Sequence, residues 1–368
     1  MGALTTNINN LPDELYEKIL AYCSNYDLYR VSLTSRRLSS VSSRILYRVI
    51  PKMDVARTID FLIAVCFYKD RAPYVWSLTI QFSKVSLSKS LSKREAFRRL
   101  RKLGNPLKAI TLRSVLRDYA TLLTTALKNL TNLRYLELRL MEPDGRDNNV
   151  ARLLGPTTFQ LKTFITTLEF SSAMGRFLQT QTQLRELQCP TSLTAAIRDK
   201  NLLPPPSLPN LNVIGWTSKV PMDAIRYIVN GRPIDRIIVL IEATSTHIKP
   251  FIDVGPRSES IRKIFITFHS LQVTTAHMSE IAAQFPAMYE LAMKVKEMSK
   301  EFMDVVVGSI HRFKSLKRLA VTGRRPFTED LQTVYQPHFD ACFSNSLSLV
   351  FIAIPVIKNN LTVYHIIR

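Results

Sequence analysis

The 368-residue sequence is short of glycine, cysteine and acidic residues, and each shortage removes a class of protein. Ten glycines leave little material for phosphate-cradling loops. Neither G-x-G-x-x-G nor G-x-x-x-x-G-K followed by Ser or Thr occurs, so no nucleotide loop is expected. The four cysteines, Cys23, Cys66, Cys189 and Cys342, stand far apart with no C-x-x-C. They predict small buried apolar residues with reduced thiols, not a disulfide framework. The six histidines, His247, His269, His277, His311, His338 and His365, contain no H-E-x-x-H, and His269 and His277 lack an acidic or thiol ligand at useful spacing. No metal and no cofactor is expected. A G-x-S-x-G elbow is also missing, and the chain is expected to be non-catalytic. No apolar run approaches the roughly 18 residues of a membrane span. The start, MGALTTNINN, lacks a basic region followed by an apolar block, so neither membrane insertion nor secretion is expected. Cytoplasm, nucleus or both are the expected locations. Met1-Gly2-Ala3-Leu4-Thr5-Thr6 fits an N-myristoylation pattern, but the pattern is short and one acyl chain binds membranes marginally. Asn129-Leu130-Thr131 and Asn360-Leu361-Thr362 fit glycosylation sequons that carry no meaning without secretion.

What is present is an ordinary globular composition, 46% apolar and 21% charged. The length allows about two and a half domains at about 150 residues each. Fifty basic residues against 29 acidic ones give a net charge of +21. Lys84 to Arg117 alone holds eleven Lys or Arg and one acid, Glu95. Such a field favours polyanionic partners, either acidic protein surfaces or nucleic acid.

The first fifty residues read as three short helices. Pro12 suits a first helical turn, where a missing N–H costs nothing, and Asp13, Glu14 and Glu17 suit the positive end of the helix dipole. Leu15, Ile19, Leu20 and Cys23 follow at helical spacing. Ser24 and Asn25 can cap a second helix near Asp27 carrying Leu28 and Val31, with Leu33 at its end. A third helix follows Thr34 and Ser35, with Leu38, Val41 and Ile45 on one face. Some forty residues of this kind make a poor independent domain, so they are expected to dock on the rest of the chain or on another protein.

The run L-P-x-E-L-x-x-x-I-L followed by D-L-x-x-V-S-L-T-S-R-R-L-x-x-V resembles the F-box motif. The matching positions are Leu11, Pro12, Glu14, Leu15, Ile19, Leu20, Asp27, Leu28, Val31, Leu33, Ser35, Arg36, Leu38 and Val41. Cys23, where leucine is more usual, and Leu38, where an aromatic often stands, depart from the pattern but keep its apolar character. The resemblance implies docking on a Skp-family adaptor. Leu11, Pro12, Leu15, Ile19, Leu20, Leu28, Val31 and Leu38 would supply the apolar contact, Glu14 and Arg36 its rim, and Asp27, Leu33 and Val41 belong to the same expected adaptor-binding set.

Beyond the head, L-x-x-L-x-L with any apolar residue recurs from Val75, Leu107, Leu133, Leu161, Leu184, Leu211, Ile234, Ile261, Met288, Leu316 and Leu347, about 27 residues apart. One copy loses its last apolar position, to Thr166. This period is similar to that of leucine-rich repeats, in which each unit gives one strand and one helix or turn. Positions four and six would point inward from the strand, and Asp118 to Leu130 would supply one of the covering helices. The asparagine or cysteine expected three residues after the sixth position is missing: Val115, Met141, Ser192 and Lys219 stand there. The expected fold is therefore α/β. It has a three-helix F-box over residues 1–50, a connecting helix within 51–72, and a degenerate leucine-rich-repeat-like solenoid (a horseshoe) of about eleven repeats over 73–368. A sheet of another topology with the same strand-plus-helix period is the alternative. PPPSLPN at Pro204 is expected as a rigid extended surface loop.

The second repeat position is Lys108, Arg134, Lys162, Arg185, Arg262 and Lys317 in six of eleven copies. Strands about 4.8 Å apart would line the first four into one cationic ridge. Arg113, Tyr135, Arg139, Arg236, Lys263, Phe265, Lys294 and Arg318 would face the concave side and suit an acidic protein segment. These charges could equally serve only solubility. The resemblance implies the substrate-recognition subunit of a Skp–cullin–F-box ubiquitin ligase, joined through its adaptor to cullin and leaving the chemistry to other subunits. The alternatives are a non-degradative F-box scaffold and a basic nucleic-acid-binding protein, for which no RNA- or DNA-binding motif is visible.

Overall fold

The computed structural model describes residues 11–82, 112–140, 154–155, 157–168, 170, 172–189, 203–242, 247–269, 271–323, 329–346, 348–358 and 361–367. The chain forms two compact units, Met1–Phe164 and Ile165–Arg368.

The first unit opens with three helices, α1 (Asp13–Leu20), α2 (Asn25–Ser32) and α3 (Arg36–Arg48). Ser24 and Ser35 cap α2 and α3, their hydroxyls accepting the Asp27 and Leu38 N–H groups at 3.2 Å. Helix α3 runs straight into β1 (Val49–Ile50), which pairs parallel with β2 (Ser77–Phe82). Strand β2 in turn pairs parallel with β3 (Tyr135–Leu140). Strand β1 has no counterpart in the repeat pattern read from the sequence. It makes the head's last helix continuous with the sheet. The connecting segment forms α4 (Val55–Phe67), which packs on α5 (Leu112–Asn129), with the Asn129 side-chain amide donating to Val65 O at 3.2 Å.

The direct pairing of β2 with β3 corrects the repeat assignment at Leu107. No strand from that copy stands between them; its last residue, Leu112, and Arg113 lie in α5. Lys108 lies outside the described residues.

Strand β4 (Thr163–Thr166) straddles the boundary between the units. The second unit continues with α6 (Ser172–Thr180), β5 (Glu186–Gln188), β6 (Val213–Thr217), α7 (Met222–Val229), β7 (Arg236–Ile241), α8 (Lys249–Ile252) and β8 (Lys263–Phe268). It ends with α9 (Thr275–Gln284), β9 (Glu290–Val295), α10 (Lys300–Ser309), β10 (Arg318–Gly323), α11 (Glu329–Asn345), β11 (Phe351–Lys358) and β12 (Leu361–Ile367). Strands β5 to β11 lie in sequence order and all pair parallel. Strand β12 departs from the repeat by running antiparallel to β11.

From Val75 to Leu316, each described copy places its strand two residues after the first repeat position. The reason is burial. The first position, as at Val75, Leu133, Leu211 and Leu316, is sealed, and so are the fourth and sixth, as at Ile237 and Val239. Intervening residues such as Arg236 face outward. Three sealed side chains per strand, each contributing about 1.5–3 kcal/mol, fix the register, because a one-residue slip would expose all of them. Thr166, the one polar residue at a sixth position, is buried and satisfied: its hydroxyl accepts the Leu168 N–H at 3.1 Å.

The carbonyl at the second position receives two N–H groups from the following copy. Arg262 O accepts from Tyr289 and Glu290, and Tyr289 O from Lys317 and Arg318. Lys317 O accepts from Val350 and Phe351, which puts the last copy at Leu349, not Leu347. Val350, expected to point inward, is accordingly exposed, while Leu349 and Ile352 are buried.

PPPSLPN is a turn and not an extended segment. Ser207 N–H donates to Pro204 O at 2.9 Å, and Leu208 takes a positive φ of 61°. Arg232, 1% exposed, holds it from below. Its guanidinium donates to Ile228 O at 2.6 Å, Ser207 O at 2.8 Å, Pro204 O at 3.0 Å and Leu203 O at 3.1 Å. Burial lowers its pKa to about 10, still well above neutrality.

Candidate functional site

The head packs around Tyr16, Leu20, Leu28 and Val41, with Leu11, Cys23, Val31, Leu38, Ile45 and Leu46 half-buried against them. Two ion pairs tie α1 to α3: Arg37 to Asp13 at 2.9 Å and Arg44 to Glu17 at 3.2 Å. Both pairs are partly exposed and stabilise little by charge alone. Arg37 adds a donor to Leu11 O and a stack on the Tyr16 ring at 5.1 Å. Asp27 serves its own helix, accepting from the Ser24 hydroxyl at 2.6 Å.

This packing divides the residues of the motif. Leu20, Leu28 and Val41 are sealed inside the head and shape its surface from within; they are not available as contacts, contrary to the expectation for them. Leu11, Val31 and Leu38 are half-buried, and Pro12, Glu14 and Arg36 are exposed. Two apolar stripes face outward. One on and just after α1 comprises Leu15 (41% exposed), Ile19 (54%) and Tyr22 (93%). The other, along α2, comprises Tyr26 (67%), Tyr29 (58%) and Leu33 (70%). Folding leaves such apolar area in water only where something else covers it or where isolated residues stand apart. Tyr22, Tyr26 and Tyr29 lie outside the motif positions. The helical spacing of Tyr26 and Tyr29 with Leu33, and of Tyr22 with Leu15 and Ile19, was the signal available for them.

The repeat-borne residues fall into separate groups. In the first unit Arg134 and Lys162 occupy adjacent second positions, since Lys162 N–H donates to Arg134 O at 2.7 Å. Arg139 is not free: its Nε donates to Glu137 at 2.5 Å, and Glu137 also accepts from the Tyr135 hydroxyl at 3.0 Å. In the second unit Arg185 is exposed just before β5. Arg236 and Lys263 are register partners, followed by Glu290 and Arg318, so the cationic row is broken by an acid. Lys263 lies 3.8 Å from the Glu290 carboxylate and over the Tyr289 ring, and Arg318 lies over Phe351. Phe265 is half-buried and Lys294 exposed on the same face.

Among the described residues no group of three or more His, Cys, Asp or Glu could hold a metal ion, and no helix is long and apolar enough to cross a membrane. His277 is structural, its ring nitrogen accepting the Thr274 N–H in a capping box. Burial pushes the Cys189 and Cys342 thiols up to about 12, which keeps them protonated and unreactive.

No curated protein matches the chain. A family model described as F-box-like matches residues 8–50, the segment that holds the three helices and both exposed stripes. The N-terminal head of this chain is an F-box-like domain.

Proposed function

We propose that the chain is the substrate-recognition subunit of a Skp–cullin–F-box ubiquitin ligase. The head would dock on a Skp-type adaptor through Leu15, Ile19 and Leu33, joined by Tyr22, Tyr26 and Tyr29, with Pro12, Glu14 and Arg36 at the rim. The adaptor would link it to cullin. The body would be a leucine-rich-repeat-like solenoid that selects a target through its outward cations, among them Arg134, Lys162, Arg185, Arg236, Lys263 and Arg318. No bond is made or broken by this chain in that scheme. It raises the local concentration of target lysines beside the loaded ubiquitin.

The observation that carries the reading is the F-box-like match over residues whose apolar stripes stay in water. The parallel, in-register strands within each unit support a repeat body. Co-purification tests it: the wild-type chain should capture a Skp-type adaptor, and Leu15→Asp with Ile19→Asp should lose it. Reconstitution with cullin, a RING protein and a conjugating enzyme should then give target-dependent ubiquitin chains. Absence of adaptor capture by the wild type would end the proposal. Capture without ubiquitin transfer would reduce it to a scaffold.

A further inference from the structure

Where the head meets the sheet, the residues immediately before four neighbouring strands, β1 to β4, are Arg48, Trp76, Arg134 and Lys162. The Arg48 guanidinium stacks on the Trp76 ring at 4.3 Å and the Arg134 guanidinium at 4.6 Å. Strands β1 and β3 flank β2, so the two guanidiniums over the indole come from the strands on either side of it. Trp76 N–H also donates to Arg48 O, and Arg134 N–H to Trp76 O, both at 2.9 Å, so the backbone under the stack is tied as well. Arg48 and Arg134 are exposed and Lys162 half-buried. Among the described residues no carboxylate lies within ion-pair distance of any of the three.

We propose that Arg48, Arg134 and Lys162 are a preorganised docking row for an extended acidic segment of a protein partner. The proposal deepens the target-binding reading above and rests on it. A guanidinium flat against an aromatic ring keeps its N–H edge free, and that edge accepts carboxylate or phosphate oxygens in pairs. Stacking also removes rotamer freedom before binding, which a solvated arginine would lose on binding. From Arg48 to Lys162 the row crosses three strand spacings, about 14 Å at about 4.8 Å each, which about four residues of extended chain span. Nucleic acid fits less well. Single strands bind by stacking bases on open aromatic faces, and the Trp76 ring already has two guanidiniums over it.

The full-length chain can be titrated against three fluorescein-labelled probes by anisotropy. These are an oligoglutamate peptide of about eight residues, the same peptide with phosphoserines, and a single-stranded RNA of about twelve nucleotides. Both peptides should bind, and the comparison between them tells which oxyanion is preferred. Reversing Arg48, Arg134 and Lys162 to Glu should weaken peptide binding by at least about tenfold. Trp76→Leu keeps the charge but frees the guanidiniums, and should weaken it by about threefold or more. Reversing the exposed Arg257, Arg312 and Lys314 changes net charge equally and should have less than about a twofold effect. Equal loss in that control, unchanged binding in the triple variant, or RNA binding tighter than peptide and lost with the row would each overturn the proposal. If the triple variant is unfolded by circular dichroism, Arg134→Gln and Trp76→Leu decide alone, and unchanged binding in both refutes it. Adaptor capture is scored in parallel. Its absence in the wild type sinks the ligase reading, while peptide binding separately decides the row.

Discussion

The division of the F-box-like motif into surface and core makes a quantitative double dissociation. Leu28 is 2% exposed, so Leu28→Ala removes a sealed side chain and leaves a cavity, costing about 2.7–5 kcal/mol. Leu15 and Ile19 are 41% and 54% exposed. Docking would bury that remaining fraction. At about 1.5–3 kcal/mol for a fully buried side chain, Leu15 contributes about 0.6–1.2 and Ile19 about 0.8–1.6 kcal/mol to adaptor affinity. Leu15→Ala with Ile19→Ala should therefore weaken adaptor binding roughly ten- to hundredfold. The same pair should leave the head's own stability within about 1 kcal/mol of wild type. Isothermal titration with a Skp-type adaptor reads the affinity, and amide exchange across α1 to α3 reads local stability. Leu28→Ala should raise exchange in all three helices; the double variant should not. Unchanged affinity in the double variant, or exchange raised as much as by Leu28→Ala, would refute the assignment of inside and outside.

Three further outcomes test the body. Arg232→Met leaves the carbonyls of Leu203, Pro204, Ser207 and Ile228 without their donor and should destabilise the second unit by at least about 1–3 kcal/mol, the penalty of a buried acceptor left unpaired, read by denaturant unfolding and by faster exchange in residues 203–211; unchanged stability would contradict it. Glu280 holds the start of α8 through the Ile248 and Lys249 N–H groups, both at 2.7 Å, and pairs with His247. Burial alone would raise its pKa, but His247 and the two amides outweigh it and the folded value lies below the usual one. Its contribution is thus present above the unfolded pKa and lost as pH falls through the folded one, so Glu280→Gln should flatten the acid limb of stability against pH below about 4.5; an unaltered limb would count against the sign. Finally, Ile352→Asp should unfold the last strands while Val350→Asp is tolerated, by thermal melting; the reverse would restore the register at Leu347.

Most of the strand register was readable because alternation has a period of two and burial enforces it at every sealed position. It failed where the pattern fits twice. Leu347 to Ile352 satisfies L-x-x-L-x-L, and so does Leu349 to Ile354, and only the Lys317 carbonyl chooses between them. The Leu107 copy fits the pattern as well as any, yet β2 and β3 pair without it, a fact of distant pairing that no local spacing carries. Proline restricts φ alike for an extended run and for the centre of a turn. What selects the turn at Pro204 is Arg232, many residues downstream and buried in spite of its charge. In the head the motif pointed to the F-box-like match at residues 8–50 without separating inside from outside, since Leu15 and Leu20 look alike in a sequence and differ only in which face their helix turns to the other two. The cationic ridge was half legible: Arg134 and Lys162 are neighbours, but their companions are Trp76, an aromatic, and Arg48, which ends α3 before a strand the repeat pattern did not contain.

That last residue bears on how the two halves of the proposed function communicate. In many two-part binders a linker sets the effective concentration of one site at the other, and slack dilutes it. Here no linker separates the head from the sheet. Helix α3 ends at Arg48, and the next residue begins β1. Around the junction Arg71 donates to the Tyr47 hydroxyl at 3.1 Å and stacks on Tyr68, while Arg44 pairs with Glu17 and lies over Tyr74. Swinging the head would break the β1–β2 backbone pairing together with the Arg71–Tyr47 and Arg44–Tyr74 contacts. An adaptor bound to α1 and α2 would then stand at a fixed offset from anything held on the Arg48–Lys162 row. A rigid offset gives either a high effective concentration or none, depending on whether the partner's lysines fall within reach. Selection would therefore act on where the lysines of a bound partner lie as well as on how tightly its acidic segment binds.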